Sequence, residues 1–199
     1  MLLDGEYVPW VNLRLSLDEQ TADLLPDLIQ FLAGFGYGNR IHLSIGLIVP
    51  SFNTATKALE ERKIAEKAIV AWRAAWDCGF EVPDEFLVGP WCVAIAKHSV
   101  VLQPNGALQK CFCTVGRKYF DFGHVSNLPF SYTQDSRFEK FSRTDMCVKE
   151  KCPYLPICGG GCVYDSVVKN GKIGFNMRFC QRELISALNQ GLLFIKYNS

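Results

Sequence analysis

Nine cysteines in 199 residues give this sequence its clearest capacity for chemistry. One is Cys78, and the other eight lie between Cys92 and Cys180. Thirteen residues separate Cys92 from Gly106, four separate Gly106 from Cys111, and Cys113 follows at once. The run CVKEKCPYLPICGGGC then spaces Cys147, Cys152, Cys158 and Cys162 by four, five and three residues, and seventeen more lead to Cys180. Thiolates are soft ligands suited to zinc and to iron–sulfur clusters. The opening MLLDGEYVPW lacks the basic-then-apolar pattern of a secretory signal. A cytoplasmic protein is therefore expected, and clustered cysteines in a reducing compartment read as metal ligands before disulfides.

Charge narrows the partners. Lys and Arg number 21 against 20 Asp and Glu, so the balance offers no electrostatic case for nucleic acid or a membrane surface. No segment approaches the roughly 20 apolar residues of a membrane span.

The cysteine order resembles the SPASM domain of radical SAM peptide-modifying enzymes, which include the anaerobic sulfatase-maturating and peptide-maturase enzymes. The likeness covers residues 90–185 and rests on Cys92, the Gly106 to Cys111 interval, the compact four-cysteine run with its CGGGC segment, and the late Cys180. One departure is visible: four residues stand between Cys147 and Cys152 where the family typically has two. The resemblance implies two auxiliary [4Fe–4S] clusters with interleaved ligands. Cys92, Cys111 and Cys162 would serve the first, and Cys147, Cys152, Cys158 and Cys180 the second. For the fourth position of the first cluster Cys113, His98, Cys78 and an open iron are the alternatives. Cys113 is expected on the same strand face as Cys111, about 6.6 Å away at the usual rise. A tetrahedral zinc site is the rival metal reading. Gly159, Gly160 and Gly161 allow backbone angles that bring amide N–H groups toward sulfur. Lys110, Lys149, Lys151 and Arg178 neighbour ligand cysteines in sequence; the simpler expectation for them is solvated surface, and the alternative is compensation of thiolate charge.

The elements that must carry these residues begin with residues 8–17, where Val11, Leu13, Leu15 and Leu17 alternate with Asn12, Arg14 and Ser16, as in a strand. Residues 19–35 carry helical spacing, with Asp18 placed to cap the start, Gly34 or Gly36 to end it, and Pro26 marking a kink or preceding turn. A second strand at 40–49 sets Ile41, Leu43, Ile45 and Leu47 against His42, Ser44 and Gly46. Strand, helix, strand predicts a parallel crossover. A polar face on each strand fits a barrel lumen holding a polar ligand, or else an antiparallel or edge arrangement with that face in water. A long helix is expected from Thr54 to Asp77, with Ile64, Ala65, Ala68, Ile69, Trp72 and Trp76 as its apolar stripe. Gly79, Pro83 and Pro90 place a boundary near residue 86. Beyond it, Pro104-Asn105-Gly106 predicts a hairpin turn. At the C-terminus, Phe194, Ile195 and Tyr197 either pack back on the core or extend a helix from Arg182 to Asn189.

The expected class is therefore α/β: residues 1–85 as the C-terminal part of a partial (β/α)6 barrel, and 86–199 as a small α+β cysteine-rich SPASM domain with a β-hairpin. The family's CxxxCxxC motif, whose cluster binds S-adenosylmethionine, is absent from the sequence. The implied function is the auxiliary portion of a radical SAM enzyme, serving electron transfer and substrate binding without cleaving S-adenosylmethionine itself. Its implied partners are a peptide or protein substrate, an N-terminal radical SAM half, and an electron donor such as flavodoxin or ferredoxin. In that setting Asn12, Arg14, Ser16, Ser44 and Gly46 would face the lumen and touch S-adenosylmethionine, or simply fill it. The alternative function is a standalone metal-stabilised module that binds a peptide without catalysis.

Overall fold

A computed structural model describes residues 10–38, 40–47, 61–84, 86, 92, 94–96, 98–127, 144–170 and 180–198. Residues 8–9, 48–49 and 54–60 of the expected elements, with Pro90 and Arg178, lie outside them. The fold is mixed α/β and divides into two compact units, residues 1–86 with 182–199, and residues 87–181.

In the first unit the alternating segments form β1 (Val11–Leu17) and β2 (Ile41–Leu47), paired in parallel with Val11 opposite Ile41 and Leu17 opposite Leu47. The parallel pairing removes the antiparallel alternative. Leu15, Leu17, Ile41 and Leu43 are buried on one face, while Asn12, Arg14, Ser16 and His42 are exposed on the other. Between the strands runs α1 (Leu25–Ala33). It starts later than the apolar spacing suggests, because Asp18 closes a turn instead of capping a helix. Asp18 Oδ1 accepts N–H bonds from Gln20 at 2.9 Å and Thr21 at 2.8 Å, and the Thr21 hydroxyl donates to it at 2.9 Å. Those bonds, led by the one from the Thr21 amide, lower the Asp18 pKa. Pro26 then falls in the first helical turn, where a missing N–H costs no hydrogen bond.

The next helix, α2 (Glu61–Asp77), buries Ala65, Ala68, Ala71, Trp72 and Ala75. Ile64, Ile69 and Trp76 of the expected stripe are only partly buried at its flanks. Small alanines let a second helix approach closely, and the C-terminal helix (Arg182–Tyr197) packs there. Both C-terminal alternatives are realised: the helix continues to Tyr197 and Ile195 is fully buried, while Phe194 and Tyr197 are exposed. The helix thus belongs to the first unit, although its place in the chain suggests the cysteine-rich part. Asn189 ties it to the segment after α2, accepting the Phe86 N–H at 2.7 Å and donating to the Phe86 carbonyl at 3.3 Å. Lys196 pairs with Asp84 and holds that carboxyl below the usual carboxylate range.

The second unit opens with a three-stranded antiparallel sheet in the order β3 (Val101–Leu102), β4 (Ala107–Gln109), β5 (Gly123–His124). The expected turn joins β3 to β4: Gly106 has φ +86 and Asn105 Oδ1 accepts the Ala107 N–H at 3.0 Å. Three short helices follow, α3 (Asp145–Lys149), α4 (Leu155–Cys158) and α5 (Val163–Asn170). Among the described residues no helix is long and apolar enough to cross a membrane.

A Cβ at Gly191 would stand 2.4 Å from Ile69 Cγ1, so Gly191→Val overpacks the α2 contact. The expected loss is about 1–3 kcal/mol, read as a lower urea midpoint; an unchanged midpoint would mean the two helices separate at no cost.

Candidate functional site

The second unit gathers its cysteines into two groups. Cys92 starts a tight turn in which its carbonyl accepts the N–H groups of Ile95 at 3.0 Å and Ala96 at 3.2 Å. Cys111 is extended just past β4 (φ −130, ψ 130). Cys113 does not continue the strand as expected but sits in a 3-10 turn, Phe112–Thr114. That turn still returns its sulfur to Cys111: the Cys113 amide and the Cys111 thiol are hydrogen-bonded within the pair. Cys162 lies immediately before α5, where the amides of Tyr164 and Asp165 donate to its sulfur. Cys92, Cys113 and Cys162 pack against one small core made of Ala94, Cys111, Phe120, Val163, Tyr164 and Val167.

Electrostatics reports the same grouping. Burial pushes the Cys111 thiol up to about 12, with further upward contributions from Cys113 and Cys92. Burial, then the Asp165 carboxylate and Cys92, push Cys162 up to about 11. Cys113 is raised by burial first, then by Cys162, Asp165 and Cys92. Asp165 is itself raised by burial and is hydrogen-bonded to Cys162. No motif marked Asp165; three residues beyond Cys162, at the start of a helix, its position was the only available signal.

The second group contains Cys147, Cys158 and Cys180. Burial raises the Cys158 pKa, the amides of Gly160 and Gly161 lower it, and charges on Cys147 and Cys180 raise it. Gly159, Gly160 and Gly161 have φ of +61, +88 and +85, so the glycine run does aim N–H groups at sulfur. Cys152 is tied to Cys147 through the backbone, its N–H donating to the Cys147 carbonyl at 2.9 Å. With the Lys151 N–H on Val148 O at 3.0 Å and Lys151 at φ +50, this is a Schellman close of α3. The four-residue gap is therefore one helix end, folded so that its two cysteines stay adjacent.

Other candidates fall elsewhere. Cys78 is half-buried against the core of the first unit, and His98 is exposed. On the polar face of β1 and β2, Ser44 Oγ donates to Asn12 Oδ1 at 3.2 Å, and the Arg14 guanidinium lies over Gly46, where a Cβ would stand 2.1 Å from its Nε. Ser16 is exposed beside Gly46 in the register. A cleft of about 430 Å³ opens where these strands begin, lined by Trp10, Asn12, Arg40, His42 and Glu81. Asn12 reaches it; Arg14, Ser16, Ser44 and Gly46 are not part of its wall. Lys149 and Lys151 are exposed as expected, but Lys110 is buried at 4% exposure.

Among the described residues no three His, Cys, Asp or Glu side chains are gathered tightly enough to hold a metal ion as they stand. No protein-family model matches the chain, and no curated protein matches it.

Two predictions follow from this local geometry. In the metal-free chain Cys111 and Cys162 keep their protons above the ordinary thiol value of 9.0, up to about 12 and 11. The folded state then binds more protons than the unfolded one between those values. Stability is full below about pH 9 and falls as pH rises through 11 to 12. Urea midpoints measured from pH 7 to 11 should decline only at the alkaline end, in parallel with the onset of alkylation at both cysteines. Separately, Lys151→Gly relieves a left-handed conformation and should stabilise the chain by about 1 kcal/mol, seen as a higher urea midpoint.

Proposed function

We propose that this chain is the auxiliary-cluster portion of a radical SAM enzyme that modifies a peptide or protein. In this reading its second unit holds two [4Fe–4S] clusters, the first on Cys92, Cys111, Cys113 and Cys162, the second on Cys147, Cys152, Cys158 and Cys180. One observation carries it. Cys158 and Cys162, only four positions apart, belong to different groups, and Cys162 joins Cys92 and Cys111 from far earlier in the chain. That interleaving is what the SPASM resemblance implies, and proximity in sequence alone would have paired the two. The donor set also fits: four soft thiols per cube, buried or half-buried apart from the exposed Cys180.

When bound, such clusters accept and pass single electrons. The chain's own residues do the rest. Tyr164 and Asp165 amides on Cys162, and Gly160 and Gly161 amides on Cys158, favour the thiolate over the thiol. Asp165 accepts the hydrogen bond of the Cys162 thiol in the metal-free state and so offers a nearby base when that proton must leave. Cys113, hydrogen-bonded to Cys111, would be the fourth thiol to hold the first cluster, and a four-thiol set would suit electron transfer over direct substrate binding.

The first unit then represents the last strands of a partial barrel, with Asn12, Arg14, Ser16, Ser44 and Gly46 toward a lumen that would hold S-adenosylmethionine. Cleavage of that molecule requires the CxxxCxxC cluster of a radical SAM half, and electrons from a donor such as flavodoxin or ferredoxin. A cytoplasmic setting accords with reduced thiols.

Anaerobic reconstitution with iron and sulfide should give about eight iron atoms per chain with broad visible absorbance. Cys158→Ser and Cys162→Ser should each lose about half of that iron, with different electron paramagnetic resonance signals remaining. Stoichiometric zinc in a colourless protein would overturn the reading, as would the same residual signal in both variants.

A further inference from the structure

Lys110 is a lysine with almost no contact with solvent, 4% exposed, one residue before Cys111. A buried ammonium is costly unless its donors are met. Here its Nζ donates to the carbonyls of Ala96 and Ser99, each at 3.0 Å, and stands 5.9 Å from the centre of the Phe122 ring. Both carbonyls belong to the turn that Cys92 begins. The Ala96 carbonyl also accepts the Ser99 N–H at 3.3 Å and the Ser99 hydroxyl at 3.1 Å. The Ala96 N–H in turn donates to the Cys92 carbonyl at 3.2 Å. One side chain therefore links the end of β4, where Cys111 is presented, to the turn that presents Cys92.

We infer that Lys110 is a positioning residue: it pins the Cys92 turn beside Cys111. The role rests on the four-thiol reading above, yet it can be measured without any metal. Seventeen residues separate Cys92 from Lys110, and the neighbouring strands β3 and β4 pair with each other, not with that turn. Lys110 thus adds a polar tie to the packing of Cys92 against the core that contains Cys111. A methionine has similar volume but neither donates nor carries charge, whereas an arginine keeps both properties.

The test uses the full chain, metal-free and reduced, treated with a short bis-maleimide; cross-links are mapped by mass spectrometry. Lys110→Met should slow formation of the Cys92–Cys111 cross-link about tenfold, as expected when a group loses its fixed orientation. The Cys147–Cys158 cross-link, measured in the same sample, should be unchanged, and Lys110→Arg should restore most of the Cys92–Cys111 rate. An unchanged Cys92–Cys111 rate in Lys110→Met overturns the inference. So does an equal slowing of both cross-links, which would make Lys110 a general support of the unit. A second arm titrates Cd²⁺ and follows protection of each cysteine from alkylation. Lys110→Met should weaken protection of Cys92, Cys111, Cys113 and Cys162 about ten- to a hundredfold, the usual effect of residues that orient ligands. Protection of Cys147 and Cys158 should hold, and a common weakening of both groups again overturns the inference. If Cd²⁺ protects none of the four thiols even in the unaltered chain, the four-thiol reading fails, and the cross-link arm still decides the placement role of Lys110.

Discussion

The glycine corner between Cys158 and Cys162 is the constraint from which the arrangement of the second unit follows. Three consecutive residues with φ between +61 and +88 turn the chain sharply. A side chain in that conformation costs about 1–2 kcal/mol per residue, so the corner is open to glycine and to little else. Its consequence is a separation. Cys158 closes α4 facing Cys147 and Cys180, while Cys162 begins α5 facing Cys92 and Cys113. The corner also spends its amides usefully, because those of Gly160 and Gly161 point at the Cys158 sulfur.

Around Cys111 a different device does comparable work. Gln103, Gln109 and Thr114 are buried polar side chains with satisfied bonds. Gln109 Nε2 donates to Asp121 at 2.6 Å, Gln103 Nε2 donates to the same carboxylate at 3.0 Å, and the Thr114 hydroxyl lies 2.7 Å from Gln109 Oε1 and 2.6 Å from the Cys111 carbonyl. A buried network of this kind favours one arrangement, because any shift strands a polar group away from water. It fixes the 3-10 turn that returns Cys113 to Cys111. Lys110 extends the same logic to the Cys92 segment, so polar ties join the apolar cluster in organising the first group.

How much of this could be read from sequence depended on whether the signal was local. The period-two alternation of β1 and β2, the Asn-Gly turn and the glycine run are local, and each appears where its residues place it. The beginning of α1 did not, because Asp18 bonds to two nearby amides and competes with helix capping. Two-residue β5 carries too little pattern to notice, and its pairing depends on β4. A helix from Arg182 to Asn189 was expected, but its extension to Tyr197 and its destination on the alanine face of α2 are tertiary facts. Lysine at position 110 reads as surface by type, and only the carbonyls of a distant turn make its burial tolerable. For the thiols, the order along the chain suggested a framework and a place for Cys162 in it, whereas the place of Cys113 required the turn around it.

The raised thiol pKa values show the cost of this design. Sulfurs buried in a small core resist ionisation, so the metal-free unit keeps protons that a metal must displace. If the unit loads clusters as proposed, the displaced protons and the new thiolate charge both have to be accommodated inside it. Asp165, hydrogen-bonded to Cys162, is placed for the first of those demands. Among the described residues, the apolar cluster around Cys111 has Ala94, Phe120, Val163, Tyr164 and Val167 as its non-cysteine members. A cluster of that size contributes modestly to stability, and on the proposed reading metal–thiolate bonds would add to it.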